Sequence, residues 1–169
     1  MKQLLFIAIL FASINSLSAQ DKPVEFTTFQ LSDTVYMLKG RGGNVGISTG
    51  EDGLYIIDDQ LRPITSQLLQ AIRKVSNKPI RFVINTHYHA DHVGGNEALG
   101  ETGTVVIAHD NIRKRMTTEQ VSIFRQETTP PYPKGALPIL TFNDRMSLHL
   151  NGETATAYYV ANREMYDDV

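Results

Sequence analysis

Short apolar runs separated by turn residues alternate with segments of helical spacing along this chain, a pattern that reads as mixed α and β. TVYMLKG at 34–40 has the content of a strand, RGGN at 41–44 that of a turn, and VGISTG at 45–50 that of an antiparallel partner. EDG at 51–53 turns the chain again into LYIID, 54–58, a run short and apolar enough for a buried strand. Pro63 can open a helix, and Leu68, Leu69, Ile72 and Val75 recur at helical spacing until SNKP closes the segment. This helix is expected to cover one face of a sheet. IRFVIN, 80–85, is a β-branched and aromatic strand.

Beyond it, NEALG reads as a short helix, TVVIAHD as another buried strand, and the stretch from about Asn111 to Arg125 as a polar helix. TTPPYPKGALP, 128–138, holds four prolines and a glycine, so an irregular surface loop is expected near one end of the sheet. MSLHLNGETATAYYV, 146–160, reads as two strands joined by the turn Asn151-Gly152.

With 169 residues, 41% of them hydrophobic, and a net charge of -2, the chain fits one soluble globular domain, and its charge offers nothing to attract nucleic acid. The first twenty residues change that picture. Lys2, an apolar run from Leu4 to Ile14 and small residues around Ala19 are the parts of a secretory signal, and the run falls short of the roughly 20 residues that cross a bilayer. The expected organisation is a signal peptide at 1–20 and a domain at 21–169, periplasmic or secreted and free of the membrane after cleavage. The chain has no cysteine, so disulfides, thiolate ligands and thiol nucleophiles are excluded and its chemistry must use oxygen and nitrogen.

The strand IRFVIN runs directly into THYHADHVGG, 86–95, where three of the five histidines and one aspartate fall between His87 and His92. On extended chain, residues two apart point the same way, so His87 and His89 can converge while Asp91 and His92 turn toward a second point. Imidazole and carboxylate suit zinc, and also iron or manganese. A solvated polar loop would explain one histidine, but HxHxDH should arise by chance on the order of once per several thousand such chains. Gly94 and Gly95 fit a crowded centre, because a missing Cβ lets backbone pass close. Asp58 could be simply a turn residue at a strand end. His109 and His149 read as strand-end and solvent-face residues.

THYHADHVGG resembles the HxHxDH signature of the metallo-beta-lactamase superfamily, and the order GGNVGISTGEDGLYIIDDQ, helix, strand, motif is similar over roughly residues 28–160. The resemblance implies an α/β fold, an αββα sandwich of two halves, represented here mainly by its N-terminal half. It implies one metal on His87 and His89, another on Asp91 and His92, and Asp58 as an acceptor that orients a ligand histidine. Where the family carries a histidine after the last strand pair, this chain has ANREMYDDV; aligned on Asn162, Glu164 stands in the histidine's place and Asp168 keeps the last acidic position. Glutamate is a competent third ligand beside two histidines. An acidic chain end in solvent is the weightier reading of Glu164, since chain ends fray.

The chain ends at Val169, before the family's bridging aspartate and last histidine, so the expectation is a domain incomplete at its C-terminus. One zinc rather than two is then expected, together with a sheet face that lacks its partner layer and could drive self-association. The activity implied by the resemblance is that of a zinc hydrolase, most similar to beta-lactamases, in which metal-bound hydroxide attacks an amide, lactam or ester carbonyl of a small-molecule substrate and Asp91 orients the hydroxide and accepts a proton. The alternative is a truncated, catalytically inactive relative that binds metal.

Overall fold

The computed structural model describes residues 24–122 and 126–160. The expected signal peptide, and Glu164 and Asp168, lie outside these. A seven-stranded sheet forms the frame, built from β1 (Thr27–Gln30), β2 (Val35–Lys39), β3 (Asn44–Gly50), β4 (Gly53–Ile57), β5 (Ile80–Ile84), β6 (Val105–His109) and β9 (Leu140–Phe142), adjacent in that order. The first four strands run antiparallel through short turns, and β4, β5, β6 and β9 run parallel. Parallel neighbours need crossovers, and helices supply two of them. α1 (Thr65–Val75) links β4 to β5, and α2 (Ala90–Val93) with α3 (Asn96–Glu101) links β5 to β6.

Helical spacing puts Leu68, Ala71 and Ile72 on one stripe of α1, where they pack with Leu99 of α3 against Leu38, Val45, Ile47, Leu54, Ile56, Val83 and Val106 of the sheet. Tyr55, Phe82, Ile84, Val105 and Ile107 form a second cluster. This side was expected to lack a partner layer, and the structure corrects that. The hairpin of β10 (Arg145–Leu150) and β11 (Glu153–Tyr158) packs over it with Met146, Leu148, Leu150, Ala155 and Ala157. Its turn is as expected, with Asn151 and Gly152 both at positive φ, 58° and 73°. The hairpin tip is tied down: Asn151 N–H donates to Asp52 Oδ2 (2.8 Å), and Asp52 N–H donates back to Asn151 Oδ1 (3.0 Å).

Two boundaries differ from expectation. The polar helix, α4 (Asp110–Met116), stops well short of Arg125, and β7 (Gln120–Ser122) then pairs antiparallel with β8 (Glu127–Thr129). The physical reason is local. Thr117 and Thr118 are β-branched, their hydroxyls bond to the carbonyls of Lys114 and Arg115, and Gln120 Nε2 donates to Arg115 O at 3.1 Å. The proline-rich segment is also less irregular than expected, since its first two residues belong to β8 and Lys134–Ala136 form a 3-10 turn that buries Ala136.

Candidate functional site

Three parallel strands end side by side, and the polar residues that follow two of them meet. β5 leads into Asn85 and Thr86, a bent segment then carries His87 to His89, and α2 turns Asp91 and His92 back over the strand end. The imidazoles form one cluster: His87 and His92 have centroids 3.9 Å apart, and His87 and His89 are edge to face at 4.8 Å. His92 therefore joins the first pair of rings, and does not split away with Asp91 as simple alternation suggests. His92 Nε2 lies 3.4 Å from Asp91 Oδ2.

β4 ends on Asp58, which is buried and left-handed at φ 62°. Its Oδ2 lies 2.7 Å from His92 Nδ1, and both its oxygens also accept at 2.7 Å from Thr86, from the backbone N–H and the hydroxyl. Donation from Nδ1 to this carboxylate leaves Nε2 of His92 carrying the lone pair. Burial pulls the His92 pKa down, but the hydrogen bond and charge of Asp58 outweigh it and the net shift is upward. His87 moves the opposite way, pushed down first by burial and then by its histidine neighbours.

Asp59 and Gln60 complete the turn. Asp59 is fully buried, accepts from Gly95 N–H at 2.8 Å, and is pushed well above the ordinary carboxylate range, chiefly by burial. A Cβ on Gly95 would sit 2.8 Å from Asp59 O, and one on Gly94 would strike the backbone of Gln60 and Arg62. Both glycines thus let the motif close onto the strand-end turn, a more specific reason than crowding at a centre. Behind them, Asn85 Nδ2 donates to His92 O and Asn96 Nδ2 donates to Asn85 Oδ1, each at 3.0 Å. A cavity of about 450 Å³ opens beside His89 and Asp91, walled by Leu61, Tyr88, Gln120, Glu127 and Tyr132. Arg115 lies over the far ring of that wall, 4.7 Å from the Tyr88 centroid.

His109 and His149 stand apart from this cluster. His109 ends β6, where its Nδ1 accepts from Asn111 N–H at 3.1 Å as the cap of α4, and its ring stacks on Tyr159. His149 pairs with Thr154 on the hairpin at 2.9 Å. Nothing in the spacing marks Thr86, Gln60 or Asn96; the signal available is a buried apolar strand that runs straight into three polar residues, Asp58 to Gln60.

The donor set suits a metal in kind: clustered half-buried imidazoles, one pushed toward its neutral form and another oriented by a carboxylate, with Asp91 adjacent. Among the described residues no three His, Asp or Glu side chains are drawn together as a ready ligand set.

Among solved structures, the fold is similar to BJP-1, a subclass B3 metallo-beta-lactamase of Bradyrhizobium japonicum, with a TM-score of 0.67 and 24% identity over 80% of this chain and 52% of that one. It is also similar to a metallo-beta-lactamase of Cronobacter sakazakii with a HARLDQ motif, with a TM-score of 0.65 and 22% identity over 75% of this chain and 50% of that one. At these identities the likeness shows the fold alone. In sequence, the chain is 40% identical over 74 residues to the alkyl/aryl-sulfatase BDS1 of Saccharomyces cerevisiae, which covers 42% of this chain and 12% of that protein. It is 30% identical over 82 residues to a linear primary-alkylsulfatase of a Pseudomonas species, 46% of this chain and 13% of that protein. The chain thus spans about half the length of the solved structures and a small part of the sulfatases. The family model described as the metallo-beta-lactamase superfamily matches residues 38–161, from β2 through the histidine cluster to the end of the hairpin, and the chain belongs to that superfamily.

Proposed function

We propose that the cluster at the end of β5 is the metal-binding part of a hydrolase acting on small molecules, with zinc as the metal. The observation that carries this reading is the gathering of three imidazoles at one strand end, with His92 Nδ1 bound to the buried Asp58 at 2.7 Å. His87, His89 and His92 would hold zinc, with Asp91 as a further donor; Glu164 is the alternative third ligand for a centre built on His87 and His89. When bound, zinc would make water a nucleophile near neutral pH and polarise the scissile group. Asp58 would fix the tautomer of His92, and Asp91, beside the cavity, would accept a proton from the attacking water. The cavity walls, apolar at Leu61 and aromatic at Tyr88 and Tyr132, would seat an uncharged part of the substrate.

A lactam, amide or ester carbonyl is the first substrate class, supported by the fold shared with B3 beta-lactamases. A sulfate ester is the second, favoured by the names of the two sulfatase relatives. The test is turnover of a chromogenic lactam and of an aryl sulfate by zinc-loaded protein, alongside His87→Ala/His89→Ala. Turnover that the double variant retains would defeat the assignment. Zinc bound without turnover of either substrate would favour an inactive metal-binding relative.

The same reading includes export. No helix among the described residues is long and apolar enough to cross a membrane. Residues 1–20 would be removed, leaving a domain from about Asp21 in the periplasm or outside the cell; an exported protein whose intact mass retains Met1 would refute this. Self-association would use apolar groups still exposed, such as Leu140 on the edge strand β9 and Tyr158 on the hairpin. A single monomeric boundary in sedimentation at high concentration would argue against it.

A further inference from the structure

One strained residue beside the cluster is not explained by the proposed chemistry. Gln60 is fully buried and sits at φ 67°, a left-handed conformation that side chains other than glycine and asparagine rarely adopt. Its carboxamide is spent on another loop. Oε1 accepts from Gly42 N–H at 3.2 Å, and Nε2 donates to Gly43 O in a short contact. Gly42 and Gly43 form the tip of the β2–β3 turn, 18 and 17 residues away in sequence.

That tip rests on the donor pair of α2. A Cβ on Gly43 would lie 2.5 Å from His92 Cε1 and 2.7 Å from Nε2, and one on Gly42 would lie 2.7 Å from Asp91 Cβ. Backbone without side chains is therefore pressed against the Nε2 edge of His92, while Asp58 holds the Nδ1 edge. The ring is flanked on both edges, with Asp58 bonded at Nδ1 and Asp91 Oδ2 3.4 Å from Nε2. On the other side the tip needs an anchor, and the Gln60 carboxamide is the side-chain group seen bonding both of its glycines.

We propose that Gln60 is a positioning residue: by tethering Gly42 and Gly43 it seats the β2–β3 tip against Asp91 and His92 and fixes the orientation of these two side chains within the cluster, a role that rests on the reading of the cluster as a metal site. The backbone strain then has a reason. Glycine at position 60 would relieve it and lose the tether, and asparagine would tolerate it with a side chain one methylene too short to reach.

The test uses the full chain with Gln60→Gly and Gln60→Asn. In metal-free protein, amide exchange at Gly42 should accelerate ten-fold or more in both variants while amides of α1 and β5 stay as they were, and the ring-nitrogen NMR signals of His92 should move toward averaged values. Zinc affinity, measured by competition with a chelator, should fall by roughly 10–100-fold, the usual loss when a residue supporting a ligand is removed. Unchanged Gly42 exchange and His92 signals would overturn the proposal. So would faster exchange throughout the chain, which would make Gln60 a filler of the core, or a released tip with unchanged zinc affinity. Wild-type protein that binds no zinc would defeat the metal reading instead, and the metal-free signals of His92 and Gly42 would still decide whether the tether exists.

Discussion

The two faces of the sheet are closed to different degrees. Against the helices, Leu38, Leu54, Ile56, Leu68, Val83 and Leu99 have no exposed surface. Against the hairpin, Ile107 keeps 1% but Tyr55, Ile84 and Leu150 each keep 8%, and partly buried residues such as Phe82 and Met146 border this face as Tyr36 and Leu69 border the other. The difference follows from what does the covering. A helix lays a continuous apolar stripe across several strands, whereas an isolated two-stranded hairpin is narrow and marginally stable by itself. The helix face holds the larger buried cluster, and the hairpin face adds hydrogen bonds at its tip to its packing.

The largest expected effect tests the closed face. Leu68→Ala should lower unfolding free energy by about 2–5 kcal/mol, the range for a fully buried leucine, measured by denaturant titration. Leu150→Ala should come at the low end of that range, near ~2 kcal/mol, and equal losses at the two positions would mean that the faces are equally well packed. Gly95→Ala is placed between the faces, at the site itself. Its Cβ must push backbone at Asp59, so a loss of about 1–3 kcal/mol is expected together with a change in the His92 ring signals; a silent substitution would show that the 58–60 turn is free to move.

Smaller still is Asn151→Gly, which keeps the positive φ of the hairpin turn and removes the side-chain bonds to Asp52 N–H and Gly53 O. A loss of about 0.5–1.5 kcal/mol is expected, with amide exchange rising in β10 and β11 before it rises in β5. Simultaneous opening of hairpin and sheet would merge the two faces into one cooperative unit. Tyr158→Ser, on the exposed end of the hairpin, should change stability by less than ~0.5 kcal/mol; a larger loss would mean that this ring is covered in solution.

What could be read from the sequence tracks how local its physical cause is. The order from β2 to β6, the start of the helix near Pro63 and the Asn151-Gly152 turn depend on neighbouring residues, and each stands where the pattern places it. The end of α4 depends on side-chain hydroxyls competing for carbonyls, which hydrophobic periodicity does not register. The hairpin's position over Tyr55 and Ile84 depends on contacts between residues about a hundred positions apart, as in the Asn151–Asp52 bonds. At the site, the histidines and Asp91 are legible because their residue types are rare in such density. The part of Asp58 in orienting a histidine followed from the resemblance; the packing of Gln60 and the glycine tip did not, because they arrive from other loops.

That the hairpin follows the sheet in sequence also matters during synthesis. Strands β1 to β6 and helices α1 to α3 leave the ribosome before the hairpin and can close their helix-covered face at once. The opposite face, with Tyr55, Phe82, Ile84 and Ile107, must wait until residues 145–158 emerge, a delay on the order of seconds at ordinary rates of synthesis. During that interval an aromatic and aliphatic surface is open to other nascent chains. Yield in the cell should therefore depend on chaperones that shield such a surface, and slowing translation between Ile107 and Arg145 should increase aggregation without altering the finished fold.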